Sequence, residues 1–215
     1  MPALSRLPER AIVTLKAIVF VAALLPLARL VTAVFFFPDW LGANPAEYIT
    51  RSLGDWALRF LLLTLCVTPL RKLSGWSWLL RFRRMLGLFA FFYVLVHFSS
   101  YISFDQVFDV NDILKDIAKR PFITVGFLSL LLLIPLAVTS TNAMVRRLGG
   151  RRWTALHRLV YVIAPLAVLH FWWMVKRDVT EPLIYAVILA ILLGYRLRFK
   201  RLESQTRAAT VRARV

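Results

Sequence analysis

"HRLVYVIAPLAVLH", residues 157–170, is an apolar run with a histidine at each end. With its flanks it extends over 154–174, and about 20 apolar residues are enough for a helix to cross a hydrocarbon core. At the rise of an α-helix, His157 and His170 then stand about 20 Å apart, one near each side of a bilayer. They cannot share a metal ion. On an ideal helix their directions differ by about 140°, so they share a face only if a kink at Pro165 rotates one toward the other.

Working outward from this stretch, five more apolar runs appear, at 12–36, 56–70, 85–104, 121–139 and 182–199. The whole chain is 60% hydrophobic with a mean hydropathy of +0.68, whereas roughly half the residues of a soluble domain are apolar. Backbone in lipid can satisfy its hydrogen bonds only within helices or a closed barrel. The expected fold is therefore an all-α integral membrane protein, a six-helix transmembrane bundle forming one domain over 1–215 with no soluble domain appended. A signal anchor is the alternative for the first run. Pro26, Pro135 and Pro165 are expected inside helices as kinks, and Pro69 and Pro121 as end markers.

A formal charge of +17 raises the question of nucleic acid, but its distribution answers it. Lys and Arg concentrate before the first run, in 71–84, in 140–158 and in the C-terminal tail, while nearly all the acids fall in the other three loops. This alternation follows the positive-inside rule and puts both termini in the cytoplasm; nucleic acid is not an expected partner. Trp40, Trp56, Trp172 and Trp173 fit the outer boundary, and Trp76, Trp78 and Trp153 the inner one. The tail "YRLRFKRLESQTRAATVRARV" reads as a solvated stop-transfer segment, with contact to anionic membrane lipid as the alternative. The single cysteine, Cys66, allows no internal disulfide.

Ionisable groups inside a bilayer are costly and tend to mark functional sites. His97, in "FFYVLVHFSSY", lies about 18 Å past the inner end of the third run and so at a depth similar to His170. Two imidazoles on facing helices suit the axial ligation of a b-type haem. Hydrogen-bonded core histidines are the equal alternative. His157 has no histidine opposite it: at its depth the third run offers "RFRR", with Arg83 and Arg84, which either hold haem propionates or face the cytoplasm. Arg29 and Arg59 lie within runs, where they reach an outer haem's propionates or snorkel to the headgroups. A zinc or copper site finds no carboxylate within the runs to complete its shell.

The strings "RRMLGLFAFFYVLVHFSSY" (83–101), "RPFITVGFLSLLLLIPLAVTSTNAMVRRLGGRRWTALHRLVYVIAPLAVLHFWWMVK" (120–176) and "PLIYAVILAILLGYRLRF" (182–199) resemble the MsrQ (YedZ) family. These are haem-binding membrane subunits of bacterial systems that repair methionine sulfoxide. The resemblance implies a ferric-reductase-like transmembrane domain in the bacterial inner membrane. Relatives of that wider group carry two histidines on each of two helices and stack two haems. His97, His157 and His170 match three of the four positions, and the fourth falls near Arg83 and Arg84. One haem b is thus implied between His97 and His170; a second, inner haem is either absent or ligated by His157 with a weak or non-histidine partner.

The resemblance also implies electrons arriving from the quinol pool or a cytoplasmic flavin reductase. They would leave to a periplasmic MsrP-like molybdopterin reductase, with this chain as a non-catalytic relay. FMN is associated with the family, but the sequence has no Gly-rich phosphate cradle to assign to it. Two rivals stand beside the relay. One is a stand-alone transmembrane metal or quinone reductase. The other is a small proton-coupled transporter using His97 and His170, for which the paired internal repeats common in transporters are not visible in the sequence.

Overall fold

The computed structural model describes residues 7–175 and 177–212; the last three residues of the basic tail lie outside them. The chain runs through α1 (Glu9–Phe36), a 3₁₀ turn (Pro38–Leu41), α2 (Pro45–Ser74), a second 3₁₀ turn (Ser77–Arg81), α3 (Arg83–Phe104), α4 (Val110–Lys119), α5 (Pro121–Val138), α6 (Asn142–Leu148), α7 (Gly150–His157), α8 (Val160–Met174) and α9 (Thr180–Arg212). No strand occurs among the described residues. Six helical stretches are long and apolar enough to cross a membrane: 9–36, 45–74, 77–104, 121–138, 150–174 and 180–199. The six expected runs are all there.

Three differences from the sequence reading have local causes. Helix α2 begins eleven residues before its apolar run, because Asn44 caps it and Pro45 opens it. The Asn44 Oδ1 accepts the Glu47 amide at 3.3 Å, and the Glu47 carboxylate takes the Asn44 Nδ2–H at 3.0 Å. The first bond satisfies a backbone donor that a helix start otherwise leaves bare, and the second holds the two side chains in place. At the other end, Pro69 does not stop the helix as expected. It lies inside α2, which continues to Ser74 and ends at Gly75, whose φ of 75° permits the left-handed closing turn. The loop expected at 105–120 also holds a helix, α4. Its start is fixed by Asp109, whose Oδ1 accepts from the amides of Asn111 at 2.8 Å and Asp112 at 3.1 Å.

Helices α2 and α3 form one close pair, and α5 and α8 a second. The pairs meet through α3 with α5 and α2 with α8, giving a four-helix core that α1 and α9 flank. Leu53, Leu65, Tyr93 and Ile163 are among its fully buried side chains. Tyr93 also locks α1 in place. Its hydroxyl donates to Ala23 O at 2.7 Å and accepts from Leu27 N at 3.3 Å, so it inserts into the α1 hydrogen-bond ladder beside Pro26. At the opposite face of α1, Val21, Leu25, Phe35 and Phe36 stay exposed, as lipid-facing side chains of a membrane helix do.

Candidate functional site

His97 on α3 and His170 on α8 come together across the core, with ring centroids 6.2 Å apart and ring planes 79° to each other. Each ring is held the same way. His97 Nδ1 meets the Thr50 carbonyl of α2 at 2.8 Å, and His170 Nδ1 meets the Phe122 carbonyl of α5 at 2.6 Å. A carbonyl only accepts, so each Nδ1 carries the proton and each Nε2 keeps its lone pair. No described residue hydrogen-bonds either Nε2. Two free imidazole nitrogens from facing helices form a donor set suited to the two axial positions of a haem. The spacing fits as well: two metal–nitrogen bonds of about 2 Å and about 1 Å from each nitrogen to its ring centre come to about 6 Å.

Both rings line one cavity of about 370 Å³ between α2, α3, α5 and α8, within the roughly 300–1,000 Å³ of small-molecule and cofactor sites. Its walls include Ala57, Leu58, Leu61, Ala90, Val94, Leu130, Leu133 and Ile163, so water finds few partners there. Its mouth opens at the end of the bundle that carries α4, where Glu47, Arg51, Asp55, Tyr101, Asp105 and Arg120 stand. Arg51 pairs with Glu47 at 2.6 Å and Arg120 with Asp116 at 2.7 Å. Burial and the neighbouring Asp116 carboxylate push Asp105 above its usual range, against the opposing pull of Arg120.

The arginines expected to serve an outer haem lie elsewhere. Arg29 is exposed on α1, outside the cavity lining. Arg59 gives its Nε–H to the Tyr185 hydroxyl of α9 at 2.8 Å and lies 4.8 Å over the Trp56 ring. The guanidinium groups near the cavity are those of Arg51 and Arg120. Sequence reasoning passed over them because they fall in polar segments, where charge was ascribed to topology. Gly54 and Gly126, which also line the cavity, carried no signal beyond their small size.

His157 is not brought to the other histidines. Its ring stacks on Trp153 at 3.8 Å, its Nδ1 meets Trp153 O at 3.0 Å, and its Nε2 lies 3.4 Å from Ser140 Oγ. Both ring nitrogens are thus engaged by neighbours in α7 and the turn before α6. Arg84 donates to Asn142 Oδ1 at 2.6 Å and borders a separate groove of about 800 Å³ between α1 and α3. Arg83 is partly buried, within electrostatic reach of Tyr161 and Arg196.

Residues 53–168 match the model of the family described as ferric reductase like transmembrane component. The chain is also 61% identical over 181 residues to the "Protein-methionine-sulfoxide reductase heme-binding subunit MsrQ" of Herminiimonas arsenicoxydans, covering 83% of this chain and 82% of that one. The protein of the same name from Rhodospirillum rubrum is 62% identical over 179 residues, covering 83% and 85%, and that of Ralstonia nicotianae 54% over 194 residues, covering 89% and 88%. The chain belongs to the MsrQ family. Within that family it is a multi-pass membrane protein, and the segment matched to the ferric-reductase-like component contains α3 with His97 and α7 with His157 and ends two residues before His170.

Proposed function

We propose that this protein is a haem-binding electron-transfer subunit of the bacterial inner membrane. In this reading it takes electrons from the quinol pool or a cytoplasmic flavin reductase and passes them to a periplasmic MsrP-like molybdopterin enzyme, which reduces methionine sulfoxide in oxidised proteins. The observation that carries the reading is the His97–His170 pair, with both Nδ1 atoms tied to carbonyls, no described partner on either Nε2, and both rings lining one cavity with largely aliphatic walls. The names of the MsrQ relatives support it.

In this proposal His97 and His170 would hold the iron of a b-type haem, which would supply one-electron transfer when bound. The chain's own residues set the conditions for it. The Thr50 and Phe122 carbonyls fix the tautomer and aim of each imidazole. The aliphatic walls keep water away from the ligand nitrogens. Arg51 and Arg120 are the guanidinium groups at the mouth; each is paired with a carboxylate, so a charge-assisted hydrogen bond to carboxylate groups of the cofactor would have to compete with Glu47 and Asp116. His157, Arg29, Arg59, Arg83 and Arg84 stand outside this ligand set, so one haem per chain is the expected stoichiometry.

The test is a reduced-minus-oxidised visible spectrum of the detergent-purified protein, with haem counted per polypeptide. One low-spin b-type haem is expected in the wild type, and its signal is expected to vanish in His97→Ala and in His170→Ala alike. Well-folded wild type that stays colourless after haem is supplied sinks the cytochrome reading and favours a transporter. Reconstitution with the periplasmic reductase separates the relay from a stand-alone metal or quinone reductase. The relay loses sulfoxide reduction in the histidine variants, whereas the stand-alone enzyme loses only reduction of its own acceptor.

A further inference from the structure

The ligand histidines are held by a device that occurs twice. In each helix pair an imidazole reaches a carbonyl of the neighbouring helix, and four residues beyond that carbonyl the neighbouring helix carries a glycine: Thr50 and Gly54 for His97, Phe122 and Gly126 for His170. The histidine follows its carbonyl by 47 residues in one case and 48 in the other.

The spacing of four has a geometric reason. In an α-helix the carbonyl of residue i accepts the amide of residue i+4, and the Cβ of residue i+4 tilts back toward the N-terminus, over the turn that holds that carbonyl. A side chain at i+4 therefore covers the carbonyl's outer side. Glycine leaves it bare, so an imidazole can approach and give the carbonyl a second hydrogen bond. A Cβ on Gly54 would lie 3.1 Å from both Nδ1 and Cε1 of His97. One on Gly126 would lie 2.6 Å from Nδ1 and 2.8 Å from Cε1 of His170, closer than side chains tolerate.

In both cases the three nearest atoms all belong to the histidine ring. Ordinary helix packing accounts for glycine in membrane proteins, but these two differ from the other glycines of the bundle. A Cβ on Gly87 would meet Thr64 at a comfortable 3.7 Å, and one on Gly194 would meet nothing within 4 Å. A glycine inside a helix also costs about 0.5–1 kcal/mol relative to alanine, which a position facing only open space or a loose contact does not require.

We propose that Gly54 and Gly126 are positioning residues for the two axial imidazoles: each uncovers the carbonyl that fixes the Nδ1–H of its histidine and so turns Nε2 toward the cavity. The proposal rests on the haem reading for its consequences at the metal, but the cradle itself is testable without the cofactor. Losing the carbonyl's bond to Nδ1–H makes an imidazole a poorer donor and favours the ferrous state. Gly54→Ala should therefore retain haem with an upward shift in midpoint potential and an altered low-spin ferric paramagnetic resonance signal. Gly126→Ala, with the closer contact, should weaken haem binding by about 10- to 100-fold, while Gly87→Ala and Gly194→Ala should keep wild-type haem content, potential and signal.

A thermal-stability cycle guards against simple misfolding. Gly126→Ala should destabilise the protein when His170 is present; in the His170→Ala background, where the ring it strikes is gone, that loss should vanish and the better helix propensity of alanine should leave the protein as stable or more so. Equal destabilisation in both backgrounds assigns the glycine to helix packing and overturns the proposal, as does a wild-type potential and signal in Gly54→Ala and Gly126→Ala. A wild type that binds no haem refutes the haem reading, and the cycle still decides the cradle.

Discussion

Replacing Tyr185 by Phe removes the hydroxyl that receives the Arg59 Nε–H at 2.8 Å and leaves the Arg59 side chain over Trp56. The bond joins α2 to α9, so its loss should loosen the attachment of α9 while the ligand pair on α3 and α8 stays intact. Hydrogen bonds to charged groups contribute about 1.5–3 kcal/mol in water-soluble proteins, but polar contacts between membrane helices average about 0.6 kcal/mol and reach about 1.7. Arg59 is only partly buried, which favours the lower range, so Tyr185→Phe should cost about 1 kcal/mol. For a chain of this size that corresponds to a fall in Tm of about 2–4 °C. Arg59→Gln removes the same bond and the cation–π contact, worth about 0.5–2 kcal/mol, and should cost more. The assay is a double-mutant cycle by thermal unfolding in detergent, with the haem midpoint potential measured on each variant. A coupling energy of about 1 kcal/mol with unchanged potentials is expected. Additive effects, or a potential that shifts in Tyr185→Phe as much as in a ligand-cavity variant, would refute the assignment of Arg59 to helix attachment and return it to the cofactor.

Three further outcomes follow from the same geometry. His157→Gln should leave the low-spin spectrum and the haem count unchanged, since this ring is held by Trp153 and Ser140; loss of a haem would establish a second site. Asp105 is held above its ordinary carboxylate value of 3.8 by partial desolvation and by Asp116, so the folded state favours its protonated form and is penalised as pH rises through the raised value. Asp105→Asn should accordingly be more stable than wild type at neutral pH, with the advantage disappearing as thermal melts are taken below the ordinary carboxylate range. Tyr93→Phe removes both bonds to α1, but the Leu27 amide can return to Ala23 O, so a loss near 1 kcal/mol is expected. Tyr93→Ala also abolishes the ring contacts with Phe60 and Phe92 at 5.3 and 5.4 Å and should cost about 3–5 kcal/mol.

The six spans were legible because lipid demands a long apolar helix whatever its neighbours are. The first turns of α2, "PAEYITRSLGD", lacked that signal, since their polar residues line the mouth of the cavity. Depth alone brought His97 and His170 together on paper, because helical rise converts residue number into height. Azimuth and partners cannot be read that way, so Arg29 and Arg59 were drawn to the cofactor by their height, yet one faces outward and the other is taken by Tyr185. The repetition escaped for a related reason. It consists of two backbone oxygens and two missing side chains, which leave almost no trace in a comparison of residue types.

Each of the two close helix pairs supplies one of the facing histidines, and the pairs touch each other less extensively than their own members do. A metal bonded at both Nε2 atoms would therefore act as a rivet between two half-bundles. Any group that binds only the assembled form stabilises it in proportion to its affinity and concentration. Assembly and loading are then linked: the shared core already brings the half-bundles together, and a group bound at both nitrogens would tighten the seam between them in proportion to its affinity.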